Sequence, residues 1–193
     1  MTETPRILAF AGSLRAGSFN KRLVKIAAQA ARESGAEVTL LDLLDFPLPI
    51  LNQDDEDAHG LPGNAKKLKA LFISHHGLLI SSPEYNSSLS GALKNVIDWV
   101  SRAEGADEPP LAAYTGKTCA LMSASPGALG GLRALVHLRA ILGNIGVWVL
   151  PGQVCIPLAD QAFDENGALK DGQKQNAIHT LARTLVEVTR KLG

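Results

Sequence analysis

The sequence predicts a doubly wound α/β domain: a five-stranded parallel sheet with helices on both faces. Three observations carry that expectation. Five short apolar runs alternate along the chain with segments of helical period. Parallel neighbours need right-handed crossovers, which helices supply, so this alternation closes into a sheet covered on both sides. The length of 193 residues suits one such unit, and 1–193 is read as a single domain. Finally, the loops after the first, third and fourth runs are rich in Gly, Ser and Pro, as expected where such a sheet holds its ligand beyond the carboxyl ends of its strands.

RILAFAG, Arg6 to Gly12, reads as a short buried strand. The helix NKRLVKIAAQAARESG follows, with Leu23, Ile26, Ala27 and Ala30 at helical spacing and Gly35 as its stop. Glu37 to Leu43 is the second strand. Pro, Asp and Gly mark Leu44 to Gly63 as a long surface loop, with the acidic run Asp54 to Asp57 simply solvated. A helix over Asn64 to His75 leads into the third strand, Gly77 to Pro83. The next helix, LSGALKNVIDWVSRA, has an apolar face of Leu89, Leu93, Val96, Ile97 and Val100. Lys117 to Ser125 is the fourth strand, and GGLRALVHLRAILGNIG the helix behind it. The fifth strand, VWVLPGQVCIP, is interrupted by Pro151 and Gly152, and the last helix spans Gly172 to Leu192.

Charge and cysteine usage narrow the class. Nineteen basic and 19 acidic side chains give zero formal charge, which argues against a nucleic-acid or anionic-membrane partner. Cys119 and Cys155 lack CxxC spacing and sit in apolar runs, so they read as buried reduced thiols. MTETPRILAF has no secretory pattern and no segment is long and apolar enough to span a bilayer, so a cytoplasmic location is expected.

The loop FAGSLRAGSFN, Phe10 to Asn20, is suited to an anion. Free amides and the positive dipole end at the start of the following helix favour negative charge. Ser13, Ser18, Asn20 and Arg15 add donors, and Gly12 and Gly17 permit a tight turn. Gly12 and Gly17 have the glycine spacing of a triphosphate loop, but Ser18 and Phe19 stand at its Lys and Ser/Thr places. GxGxxG fails at Leu14, and Cys119 has Ser125 six places on instead of a phosphatase arginine. A monophosphate held without metal remains; the plain alternative is a turn with capping serines. Pro83 to Asn86, including Tyr85, would flank a ring attached to that phosphate, and Ser123, Ser125 and Gly127 would edge it from the other side.

GSLRAGSFN, SSPEYNSSLSGALKNVIDWVSR and SASPGALGGLRA, in this order, together with LLDLLDFPLPILNQD and AFDENGALKD, resemble the NADPH-dependent FMN reductase family, which includes quinone, azo-dye and chromate reductases. The resemblance implies a flavodoxin-like sheet of order 2-1-3-4-5 with FMN at the switch point. It implies that Ser13, Arg15, Ser18, the Phe19 amide and Asn20 hold the phosphate. Pro83, Glu84, Tyr85, Asn86, Ser123, Ala124, Ser125 and Gly127 would line the ribityl chain and the ring, with backbone amides of 123–127 at its N1/O2 edge. By the same resemblance NADPH or NADH delivers hydride to the flavin, which passes it in a ping-pong scheme to a quinone, flavin, azo compound or chromate. No catalytic side chain and no metal are required. A homodimer or homotetramer is implied, with Trp99, Arg102, Arg133 and Arg139 as candidates for the contact. The sequence departs from the family at His75 and His76, read as structural, and at Ser87, where glycine is common. A flavodoxin-type electron carrier without NAD(P)H activity, or a non-redox binding module, shares the fold.

Overall fold

Why the strands read as unbroken apolar runs is plain from β1, Arg6–Ala11, whose residues Ile7 to Phe10 are all fully buried. Ile7 and Ala9 face one core, and Leu8 and Phe10 the other. The computed structural model describes residues 3–192. After β1 come α1 (Phe19–Glu33), β2 (Glu37–Leu41), α2 (Gln53–His59), α3 (Gly63–Ser74), β3 (Gly77–Ser81), α4 (Gly91–Val100), β4 (Thr118–Ala124), α5 (Leu132–Asn144), β5 (Trp148–Ile156) and α6 (Gly172–Leu192). The five strands form one parallel sheet in the order β2-β1-β3-β4-β5. The chain leaves β1 to build β2 on one side and returns to build β3 on the other, so a crevice opens between the loops after β1 and β3.

Each face of the sheet is sealed by an apolar stripe. Leu23, Val24, Ala27, Ala28 and Ala31 of α1 join Ile178, Leu181 and Leu185 of α6 against Ile7, Ala9 and Leu79. Leu68 and Phe72 of α3, Leu93, Val96 and Ile97 of α4, and Leu135 and Leu138 of α5 cover Leu8, Phe10 and Leu78. No helix among the described residues is long and apolar enough to cross a membrane.

Leu44 to Gly63 is more ordered than its composition predicts. A 3-10 turn at Leu43–Asp45 precedes α2, which is capped by Asn52, whose Oδ1 accepts from the Asp54 N–H at 3.2 Å. Asp54, Asp55 and Glu56 occupy the first turn of α2, where the helix dipole favours negative charge. The acidic run is therefore not just solvated: Glu56 accepts from Arg102 Nε at 2.8 and 2.9 Å. The segment before α2 is held to α4 by Pro49 O, which accepts from Trp99 Nε1 and Asn95 Nδ2, each at 2.8 Å. Trp99 is 1% exposed, so it is a core residue and not an intersubunit contact.

β5 runs unbroken through Pro151 and Gly152, but with a bulge. Cys119 pairs with Val149 and Leu121 with Gln153, so four steps of β5 oppose two of β4. Arg139 reaches across from α5 and donates to Leu150 O at 2.7 Å and Gln153 Oε1 at 3.0 Å. Both cysteines are free; Cys119 is buried, and burial pushes its thiol up, but Cys155 is only partly covered.

Candidate functional site

The loop after β1 is shaped first by its neighbours. A Cβ on Gly12 would meet Leu93 at 2.8 to 2.9 Å, so α4 and not a ligand demands this glycine. Gly12 N–H donates to Ser81 O at 2.9 Å, and Gly12 O accepts from Ser90 Oγ at 2.5 Å. Beyond it the loop is open: Gly17 has nothing within 4 Å of its would-be side chain. Ser18 is the N-cap of α1, its Oγ accepting from Lys21 N–H at 3.4 Å. The N–H groups of Phe19 and Asn20 have no partner among the described residues, and neither does the exposed Arg15 guanidinium. Ser13 is buried and its Oγ accepts from Arg15 N–H at 3.3 Å. Nearby, burial acts to raise the Asp42 pKa, but the Lys21 ammonium at 2.7 Å and the Leu44 N–H outweigh it and hold the carboxyl below its ordinary value.

The Asn20 side chain is otherwise occupied. Its Oδ1 accepts from Ser81 Oγ at 2.8 Å and Ala124 N–H at 2.9 Å, and its Nδ2 donates to Ala124 O at 2.9 Å. It ties the ends of β3 and β4 to α1, leaving its own N–H without a partner among the described residues.

After β3, Ser82 and Pro83 are buried and Glu84 turns toward α5. Tyr85 and Ser88 exchange backbone bonds at 2.9 and 3.0 Å around Asn86 and Ser87, which have φ of 48° and 66°. Two residues with positive φ make a type I′ turn. Tyr85 is presented at its edge, 49% exposed.

After β4, Ser123 is fully buried and donates to Ser82 O at 2.6 Å, so its hydroxyl supports the site without facing it. Ala124 is engaged by Asn20, Ser125 N–H donates to Ile156 O at 3.1 Å, and Gly127 N–H leans on Ser125 Oγ at 3.3 Å. The amides without a partner among the described residues belong to Ala128, Leu129 and Gly131, slightly later than the 123–127 span the sequence suggested. Gly131 has φ +88°, and a Cβ there would overlap Ser123 Oγ. Ser82, Ser90 and Gly131 were not legible as site residues. Only Ser90, a serine directly before an apolar helical run, carries a usable N-cap signal. His75 and His76 lie at the opposite end of the sheet; His75 Nε2 meets Thr39 Oγ1 at 2.8 Å.

An open strand-to-helix junction with unpartnered donors, set in a sheet of this order with small-residue loops following on β3 and β4, gives the chain the architecture of a flavodoxin-like protein. The profile of the family described as NADPH-dependent FMN reductase matches residues 5–161, and the chain belongs to that family. It is 34% identical over its whole length to an NAD(P)H-dependent FMN reductase of Pseudomonas aeruginosa, of which 99% is covered. It is 36% identical over 150 residues to a quinone reductase of Escherichia coli, covering 78% of this chain and 76% of that one. Among solved structures, the flavoenzyme NAD(P)H:(acceptor) oxidoreductase FerB of Paracoccus denitrificans superposes with a TM-score of 0.79 at 26% identity, over 98% of this chain and all of that one. Family membership makes the chain an FMN-dependent NAD(P)H oxidoreductase, and the carrier and binding-module alternatives fall away.

Proposed function

We propose that residues 1–193 act as one FMN-binding domain that moves reducing equivalents from NAD(P)H to a small quinone-type acceptor. The observation that carries the reading is the set of unpartnered donors at the start of α1, the Phe19 and Asn20 N–H groups and Arg15, at the same end of the sheet as the loops after β3 and β4 that can border a flat ring. FMN fits this donor set: a phosphate needs amides, hydroxyls and a cation, and no metal. Ser13, Arg15, Ser18, Phe19 and Asn20 hold the phosphate in this reading. Pro83, Tyr85, Asn86, Ser125 and Gly127 border the ribityl chain and ring, with Glu84, Ser123 and Ala124 bracing those loops. Bound FMN supplies the hydride chemistry, and the chain's part is to bind, orient and restrict access. The names of the relatives support a quinone as acceptor. Donor and acceptor use one opening in turn.

Purified protein should be yellow and be bleached anaerobically by NADPH or NADH. Initial-rate plots at several quinone concentrations should run parallel. Arg15→Ala should weaken FMN binding by about 1 to 3 kcal/mol, the worth of a charge-assisted bond. Unchanged affinity in that variant would remove the phosphate from this loop.

We further propose a cytoplasmic protein that assembles as a homodimer or homotetramer. Leu132 and Val136, one turn apart on α5, are 40% and 56% exposed, and Leu129 and Tyr85, in the loops after β4 and β3, are 50% and 49% exposed, apolar surface available to a second copy. Val136→Glu should reduce the assembled mass seen by light scattering; a wild type that runs as a monomer excludes the idea.

A further inference from the structure

The helix α5 has no side chain of its own to cap it, because its N-cap is Gly131. The cap comes from 47 residues earlier in the chain, at Glu84. Glu84 Oε2 accepts from the N–H groups of Arg133 at 3.0 Å and Ala134 at 3.2 Å. Its Oε1 accepts from Arg133 Nε at 3.0 Å and Nη2 at 2.7 Å. The carboxylate side chain is 9% exposed, whereas that of Arg133 is 56% exposed. One nearly buried carboxylate therefore receives four charge-assisted bonds at the positive end of a helix, where such bonds are strong.

The position of this link matters more than its strength. Glu84 lies between Pro83 and Tyr85, in the turn that forms one wall of the proposed ring site. Arg133 lies two residues after Gly131, close to the free amides of Ala128, Leu129 and Gly131 in the other wall. Two further ties across the strand ends, Asn20 to Ala124 and Ser123 to Ser82, lie deeper and are neutral, and a third, Ser88 Oγ to His137 Nδ1 at 3.0 Å, joins the same turn to α5 farther along the helix. Glu84 is thus the link that grips the first turn of α5, through a carboxylate. Arg133 offsets its charge, so the pair adds no net repulsion toward an anionic cofactor.

We propose that Glu84 is a positioning residue for FMN: by capping α5 and pairing with Arg133 it fixes the gap between the turn after β3 and the loop after β4, without itself contacting the flavin. The proposal rests on the reading of this cleft as the FMN site. Without the clamp the free protein samples wider gaps, and FMN binding must restore the narrow one, which lowers the apparent affinity.

The test uses the full chain freed of flavin and titrated with FMN, following flavin fluorescence and the visible circular dichroism of the bound ring. Glu84→Ala should raise the Kd about tenfold, the scale of a lost helix cap, and change the dichroism. Glu84→Gln, which keeps an acceptor but no charge, should recover part of both, and Arg133→Met should have a smaller effect of the same kind. Arg15→Ala should raise the Kd and leave the dichroism as in wild type. If Glu84→Ala does not fold, Glu84→Gln and Arg133→Met decide. Wild-type Kd and dichroism in the Glu84 variants overturn the proposal, and so does a raised Kd with unchanged dichroism, which assigns Glu84 to general stability. An Arg15→Ala variant that binds FMN normally, or a wild type that binds none, instead overturns the underlying reading of the site.

Discussion

Ser87 sits in a backbone conformation that its side chain opposes. Its φ of 66° follows Asn86 at 48°, and the type I′ turn they form suits Asn at the first place and glycine at the second. The turn persists because its ends are fixed: Tyr85 and Ser88 exchange two backbone bonds, and Ser88 Oγ meets His137 Nδ1 at 3.0 Å. Ser87→Gly should therefore stabilise the protein by about 1 kcal/mol, the order of the strain relieved. The expected sign is a higher urea midpoint with an unchanged slope. A lower midpoint would mean that the Ser87 side chain makes a contribution larger than its strain. The departure from the family at this position was visible in the sequence, but its physical meaning was not, since a φ value belongs to the folded turn.

Elements buried on both faces were the most legible, because β1, β3 and β4 must be apolar through most of their length. α2 was not legible: seven mostly polar residues without a single buried side chain give no helical period, and what locates them is Asn52 and the distant Arg102. The site shows the same division. Its loops announced themselves by Gly, Ser and Pro, yet the partners of Asn20, Ser123 and Glu84 lie 104, 41 and 49 residues away. Asn20 shows how much hangs on such a partner, since one amide joins α1 to the ends of β3 and β4. Asn20→Ala strands Ser81 Oγ and both backbone groups of Ala124 in a buried setting, with a cost of about 2 to 4 kcal/mol. Urea unfolding of the flavin-free protein measures it. A loss below about 0.5 kcal/mol would mean that water replaces the amide and that the junction is wetter than its burial implies.

Across the whole molecule the sheet has two chemically different ends. Its carboxyl ends hold the open loops, and its amino ends hold a cluster of basic side chains, Arg6, His75, His76 and Lys117. Lys117 Nζ donates to His75 O at 2.5 Å, and burial, with the nearby Arg6 charge, lowers its pKa to about 8. His75 Nδ1 donates to Leu71 O at 2.6 Å, and Nε2 meets Thr39 Oγ1 at 2.8 Å. Burial, then Lys117 and Arg6, hold its pKa below 6.5, against the pull of Leu71 O. Burial and Arg6 do the same to His76, against the weaker pull of Glu3. Both histidines thus take up protons more readily in the unfolded chain, so their contribution is present above about pH 6.5 and is lost as pH falls through their lower folded values. Lys117 has the same sign at higher pH, gaining between about 8 and 10.5. There it is opposed by Cys119, Cys155 and Tyr114, whose ionisation burial resists. The urea midpoint should therefore fall from pH 7.5 to pH 5.5, before carboxylates such as Asp42 begin to titrate. His76→Asn, at the more exposed ring, should flatten that slope while leaving FMN affinity at pH 7.5 unchanged, because the proposed flavin loops lie at the other end of the strands. A midpoint as high at pH 5.5 as at 7.5 in the wild type would show that both rings accept protons freely in the folded state.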